Sequence, residues 1–190
     1  SFIFMMRLGV LFSGGKDSTL ALCKAKETDE VVCLISLVSA NKESYMFHTP
    51  NIDITSFQSQ ALGIPIIRKH TQGAKEDELA DLRQALAQAK EKYQIKGVVT
   101  GAVESIYQST RIQKICNELE LWCFNPLWLM DQVQLLEETL KLGFKTMITG
   151  VFAYPMGKDW LGRIIDEKMI EELEELKERD RKSTRLNSSH

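Results

Sequence analysis

Apolar positions along the chain follow two rhythms. Continuous apolar runs of strand length occur at Arg7–Phe12 (RLGVLF), Val31–Val38 (VVCLISLV), Ile64–Arg68 (IPIIR), Gly97–Thr100 (GVVT) and Leu121–Phe124 (LWCF). Their branched residues and lack of polar alternation predict strands buried on both faces. Between them the period lengthens to that of a helix. Helices are predicted over Ser18–Lys26, in a segment ending near Leu62 with Gly63 as its stop, over Lys75–Tyr93 and over Ser109–Leu119. The third carries Leu79, Leu82, Leu86, Ala89 and Tyr93 on one face, and the fourth Ile112, Ile115, Cys116 and Leu119. Strand and helix alternate five times, which predicts an α/β fold: a Rossmann-like parallel sheet with helices on both faces.

After Pro126 the rhythm changes. A helix over Asp131–Leu142, a strand within Lys145–Phe152, a loop AYPMGKDWLGR and an acidic helix from Asp166 to about Arg179 predict a smaller α/β unit. The expected organisation is a nucleotide-binding domain over residues 6–125 and a C-terminal unit over 126–179. Both ends read as foreign to the fold: residues 1–5 precede a natural start at Met6 or Met5. The final DRKSTRLNSSH, residues 180–190, resembles a translated adapter oligonucleotide, which would leave the natural C-terminus missing.

Composition narrows the function classes. The 190 residues are 44% hydrophobic and 26% charged, an ordinary globular balance, with a net charge of −2. That charge does not favour nucleic acid as a partner. No apolar run approaches the ~20 residues of a membrane span. Cys23, Cys33, Cys116 and Cys123 form no CxxC pair, which predicts buried, reduced thiols and a cytoplasmic protein. A homo-oligomer stays open.

An open parallel sheet binds ligands beyond the carboxyl ends of its strands. Ser13–Ser18, Ser39–His48, Thr71–Gly73 and Gly101–Gln108 leave that edge, and each is rich in small polar residues. The first, SGGKDS, joins an apolar strand to a helix. Gly14 and Gly15 let the backbone turn and approach a ligand, the helix start attracts anions, and Lys16 adds a full charge. Ser13, Ser18 and Thr19 add hydroxyl donors. The stretch is not the common GxxxxGK[ST] loop: Val10 stands where its first glycine belongs, and Asp17 where its Ser or Thr belongs.

SGGKDS in this setting resembles the pyrophosphate (PP) loop of the ATP pyrophosphatase superfamily, whose fold is adenine nucleotide alpha hydrolase-like. SANKESYMFHTPN (Ser39–Asn51), TGAVESIYQSTRI (Thr100–Ile112), NPLW (Asn125–Trp128) and DWLGR (Asp159–Arg163) extend the match. Together they resemble the diphthine–ammonia ligase family, the archaeal type especially, from Met6 to about Arg179. One family element, a GEGGE-like stretch after the last helix, is not in the sequence.

The resemblance implies an AMP-forming carbon–nitrogen ligase using ATP and Mg2+, with elongation factor 2 as protein substrate and ammonia as nitrogen donor. It implies that Ser13, Gly14, Gly15, Lys16, Asp17 and Ser18 hold the phosphates, with Lys16 and Asp17 catalytic and Asp17 meeting magnesium directly or through water. Gly101 and Ala102 would leave room for the nucleotide. Glu43, Tyr45, His48, Tyr107, Gln108, Arg111 and Arg163 are further candidates for substrate or nucleotide contact. Two other readings stand beside the ligase: a related pyrophosphatase that modifies tRNA, and a non-catalytic ATP or AMP sensor.

Overall fold

In a computed structural model of the chain, residues 5–40, 52–72, 74–101, 106–128, 132–141, 143, 159, 163–164 and 166–187 are described. The chain divides into two compact units, Ser1–Leu129 and Met130–His190.

The first unit runs β1 (Arg7–Leu11), α1 (Lys16–Thr28), β2 (Glu30–Ser39), α2 (Ile52–Leu62), β3 (Ile66–Thr71), α3 (Lys75–Tyr93), β4 (Gly97–Val99), α4 (Ile106–Glu118) and β5 (Trp122–Phe124). All four strand pairings are parallel, in the order β3-β2-β1-β4-β5. The five predicted strands and the parallel sheet are therefore present. β1 sits at the centre, and the strand order reverses between β1 and β4. In such sheets the crevice at the reversal, beyond the carboxyl ends, is where ligands bind.

Side chains alternate across the strands, so each strand feeds two layers. Leu11, Cys33, Ile35, Leu37, Ile67 and Val98 form one core with Leu82, Leu86 and Ala89 of α3 and Ile112, Ile115 and Cys116 of α4. These are the faces expected of the two helices, with Leu79, Tyr93 and Leu119 packed at the border. The other parity, Leu8, Val10, Leu34 and Val99, is equally buried. It takes the buried Leu20, Ala21, Leu22 and Ala25 of α1, a helix that packs on β1, β2 and β4.

Several elements begin or end away from their expected limits. α1 starts at Lys16, not Ser18, because Gly15 occupies the capping position, and Lys16 and Asp17 enter the first turn. α4 starts at Ile106, ahead of Ser109. β3 runs to Thr71 along the edge of β2, pairing Ser39 with Thr71. The cysteines correct one expectation. All four are free, but only Cys33 and Cys116 are buried, while Cys23 and Cys123 are partly exposed.

In the second unit α5 (Gln132–Lys141) and α6 (Glu167–Asn187) bury Leu136, Met169 and Ile170 between them, with Leu140, Leu173 and Leu176 alongside. Asp166 caps α6, its Oδ1 accepting from the Met169 amide at 2.8 Å. α6 continues past Arg179, where the sequence reading stopped it. No glycine or proline interrupts the stretch, and Arg181, Lys182 and Arg185 suit a helix carboxyl end. The strand expected within Lys145–Phe152 lies outside the described residues.

Candidate functional site

β1 delivers the chain to the sheet's carboxyl edge, where residues Phe12–Gly15 turn it into α1. The Phe12 amide still bonds the Ile35 carbonyl at 2.8 Å, so the loop leaves directly from the sheet. Gly14 then adopts φ +79°, a left-handed conformation that glycine takes without strain. Gly15 lies in the extended region at φ −75°, open to any residue. An added Cβ there would meet a single atom of the described residues, Ser13 Oγ at 3.3 Å, so the position is nearly open.

The start of α1 carries no side-chain cap. The first-turn amides of a helix have no partner within it, and with a glycine at the cap they form a positive anion seat. The loop's hydroxyls divide in role. Ser18 is buried, donates to the Gly15 carbonyl at 3.2 Å and accepts from the Ser13 amide at 3.3 Å. Thr19 Oγ1 donates to the same carbonyl at 2.8 Å. These two tie the loop to the helix. Ser13 is the exposed residue of the three, with its Oγ 3.2 Å from Ser18 Oγ. Lys16 Nζ pairs with Asp17 Oδ1, and both side chains are partly exposed.

β4 brings the second wall. An added Cβ on Gly101 would sit 3.0 Å from Asp17 C, Asp17 O and Ser18 N. The sequence reading gave this glycine's space to the nucleotide, whereas the α1 backbone fills it. Gly101 thus lets the β4 edge close onto the helix start at the sheet's reversal point.

The remaining candidates distribute unevenly. Gln108 and Arg111 are partly buried in the first half of α4, which follows β4. Tyr107 belongs to the same turn, with its side chain outside the described residues, as are Ala102, Glu43, Tyr45 and His48. Arg163 lies in the second unit, where its guanidinium bonds Glu172 Oε2 at 2.7 Å. That pairing raises the arginine's pKa and lowers the glutamate's.

The helix expected to end near Leu62 is α2, but none of the candidates expected from the sequence lies on it. Thr55 and Gln58, three residues apart on one helical face, both abut Gly14. Gln58 Nε2 donates to the Gly14 carbonyl at 3.3 Å. Their only signal was that spacing in the segment after β2.

Fold and loop together define an α/β protein of the PP-loop, adenine nucleotide alpha hydrolase type. A crystal structure described as a predicted subunit of tRNA methyltransferase from Methanocaldococcus jannaschii shares this fold. Its TM-score is 0.52 at 17% identity, over 78% of this chain and 82% of that one. Within this class the chain belongs to the diphthamide synthase family. Models of the diphthamide synthase N-terminal and C-terminal domains match residues 6–122 and 131–184. A Danio rerio protein named diphthine–ammonia ligase is 31% identical over 85% of this chain and 71% of its own length. A Homo sapiens protein of the same name is 29% identical over 85% of this chain and 68% of its own. The family is one of ATP-dependent ligases, so the family and enzyme class expected from the SGGKDS loop and its companion segments hold.

Proposed function

We propose that the chain adenylates the carboxylate of diphthine on elongation factor 2 with ATP and lets ammonia displace AMP, giving diphthamide. The observation that carries this is the uncapped start of α1 behind the Gly14–Gly15 turn, with Lys16 and Asp17 in its first turn. Membership in a family whose curated proteins are named diphthine–ammonia ligase supplies the substrate.

In the first step a carboxylate oxygen attacks the α-phosphorus of ATP, and the bond to the β-phosphate bridging oxygen breaks. The departing pyrophosphate gathers negative charge. The first-turn amides of α1, the exposed Ser13 hydroxyl and Lys16 are fixed donors for that charge, which is where such donors lower a barrier most. For Lys16 to serve, its ammonium must exchange Asp17 Oδ1 for a phosphate oxygen. Asp17, freed by that exchange, would be the residue to hold magnesium. No group of three or more metal-ligating side chains occurs among the described residues. One carboxylate fits magnesium nonetheless, since this ion commonly takes a single protein carboxylate with phosphates and water. Bound there, magnesium would neutralise phosphate charge.

In the second step ammonia attacks the acyl carbon, AMP leaves and the nitrogen sheds a proton. No side-chain nucleophile is required. Gly101, holding β4 against the helix start, keeps the donors in register during both steps. Ala102, Glu43, Tyr45, His48, Tyr107, Gln108, Arg111 and Arg163 are assigned to the substrate or nucleotide by resemblance alone.

The test incubates the chain with magnesium, ATP, ammonium and elongation factor 2 bearing diphthine. AMP is followed together with the mass of the modified histidine. The expected result is AMP release with conversion of carboxyl to carboxamide, reduced at least a hundredfold in Lys16→Ala. ATP binding with neither AMP nor a mass change would overturn the ligase in favour of a sensor.

A further inference from the structure

We infer that Gln58 of α2 is a positioning residue for the phosphate loop: its side-chain amide sets the orientation of the Gly14–Gly15 peptide and so aims the Gly15 N–H at the anion. The inference deepens the proposed phosphate-binding role of the loop and rests on it.

Gln58 Nε2 donates to the Gly14 carbonyl at 3.3 Å. A carbonyl only accepts, so the nitrogen end of the amide must face it. In a trans peptide the C=O and the next N–H point in opposite directions. Holding the Gly14 carbonyl toward α2 therefore turns the Gly15 N–H away from α2, and that N–H meets Ser13 Oγ at 3.3 Å on the exposed side of the loop. A pyrophosphate oxygen that displaces the Ser13 hydroxyl from this long contact would meet an amide already turned toward it.

The restraint acts where the backbone is least constrained by its own sterics. Gly14 lacks a Cβ and sits at φ +79°, so its neighbouring peptide planes rotate more freely than those of other residues. Gln58 Oε1 lies 2.8 Å, and Thr55 Cγ2 3.1 Å, from where a Gly14 Cβ would be. α2 thus packs against the turn at Gly14, and its Gln58 amide favours the orientation that accepts its hydrogen bond.

Packing alone does not account for a glutamine here. Its Oε1 is buried and has no hydrogen-bond partner among the described residues, an unfavourable arrangement that an apolar side chain of the same length would avoid. The amide is explained by what its nitrogen end holds. The same residue type at the same place also excludes a carboxylate, which would accept only and would repel both the Gly14 carbonyl and a phosphate.

The experiment measures binding of MgATP and of magnesium pyrophosphate by calorimetry, using the full chain as wild type, Gln58→Met and Gln58→Glu, with melting temperatures alongside. The methionine variant keeps the length and removes the donor. We expect its dissociation constants to rise about tenfold, the worth of one lost hydrogen bond to an aligned donor, with little change in melting temperature. The glutamate variant is expected to bind more weakly still at neutral pH. It should recover toward wild type as pH falls and its carboxyl gains a donating proton. Should the methionine variant fail to fold, the glutamate pH profile decides, because a purely structural role gives no recovery. Wild-type affinity in both variants would overturn the role of Gln58 and leave the phosphate loop standing. A wild-type chain that binds neither ligand would overturn both.

Discussion

Gly101 is the glycine of the loop region whose added Cβ would meet main chain rather than a side chain, and its replacement is a sharp single-residue probe. A methyl group there would press on main-chain atoms of Asp17 and Ser18 at 3.0 Å, and main chain at a helix start gives way poorly. Gly101→Ala is expected to cost about 1–3 kcal/mol of stability. It should also weaken ATP binding, because the displaced atoms carry the anion seat; urea midpoints and calorimetric titration check the two effects. The thiols give a second residue-scale expectation. Burial pushes Cys33 up to about 12 from its ordinary 9.0. Between those values the unfolded chain has lost this proton and the folded chain keeps it. Stability owed to Cys33 is therefore intact below pH 9 and falls as pH rises toward 12. Cys123 differs: the thiol of Cys116 donates to it, which lowers Cys123 and raises Cys116. Alkylation followed by mass mapping is expected to mark Cys123 before Cys33 or Cys116. At this scale the turn into α1 was legible as the candidate site because SGGKDS concentrates glycines, charge and hydroxyl donors within six consecutive residues. Gln58 was not, since it acts on Gly14 across 44 positions of sequence and its partner is a backbone carbonyl. Gly101 was legible as a functional glycine but not for its reason, which is a contact with another element's backbone.

Among the elements, α1 shows how a site is kept by withholding stabilisation. A helix normally satisfies its first amides with a Ser, Thr, Asp or Asn side chain. Gly15 leaves them open. Gly15→Asp fits the extended backbone there, and its Cβ would meet only the Ser13 hydroxyl. The folded state is expected to be unchanged or a few tenths of a kcal/mol more stable. ATP affinity should fall at least tenfold, because the new carboxylate takes the amides and repels phosphate; melting temperature and titration separate the outcomes. Element types were read well where periodicity was long. α3 has the limits expected, since its apolar face repeats through five turns with acidic residues at its start and Lys90 and Lys92 at its end. Shorter elements shifted at their ends, because a two- or three-residue change there is decided by caps and edge pairing that local pattern does not encode.

For the molecule as a whole, alternation of strand and helix implied a parallel sheet but left the order of its strands open. That order depends on which nonlocal pairings bury most, and it is what puts β1 and β4 side by side and the site at their reversal point. The net charge of −2 bears on partners. A chain without a basic surplus gains little from counterion release on a polynucleotide. AMP formation with diphthine-bearing elongation factor 2 is therefore expected to be indifferent to added tRNA or ribonuclease, and dependence on RNA would favour the tRNA-modifying alternative. The central place of β1 also carries a cost during synthesis. One of its edges pairs with β2, which emerges from the ribosome next, but the other waits for β4, roughly 90 residues later. At ordinary translation speeds that wait lasts about 5 to 20 s. Throughout it the innermost strand of the finished sheet is an open, apolar edge capable of pairing with a neighbouring nascent chain. Slower passage of the ribosome through the stretch between the two strands is then expected to lower soluble yield, which synonymous recoding of that stretch and a comparison of soluble fractions would check.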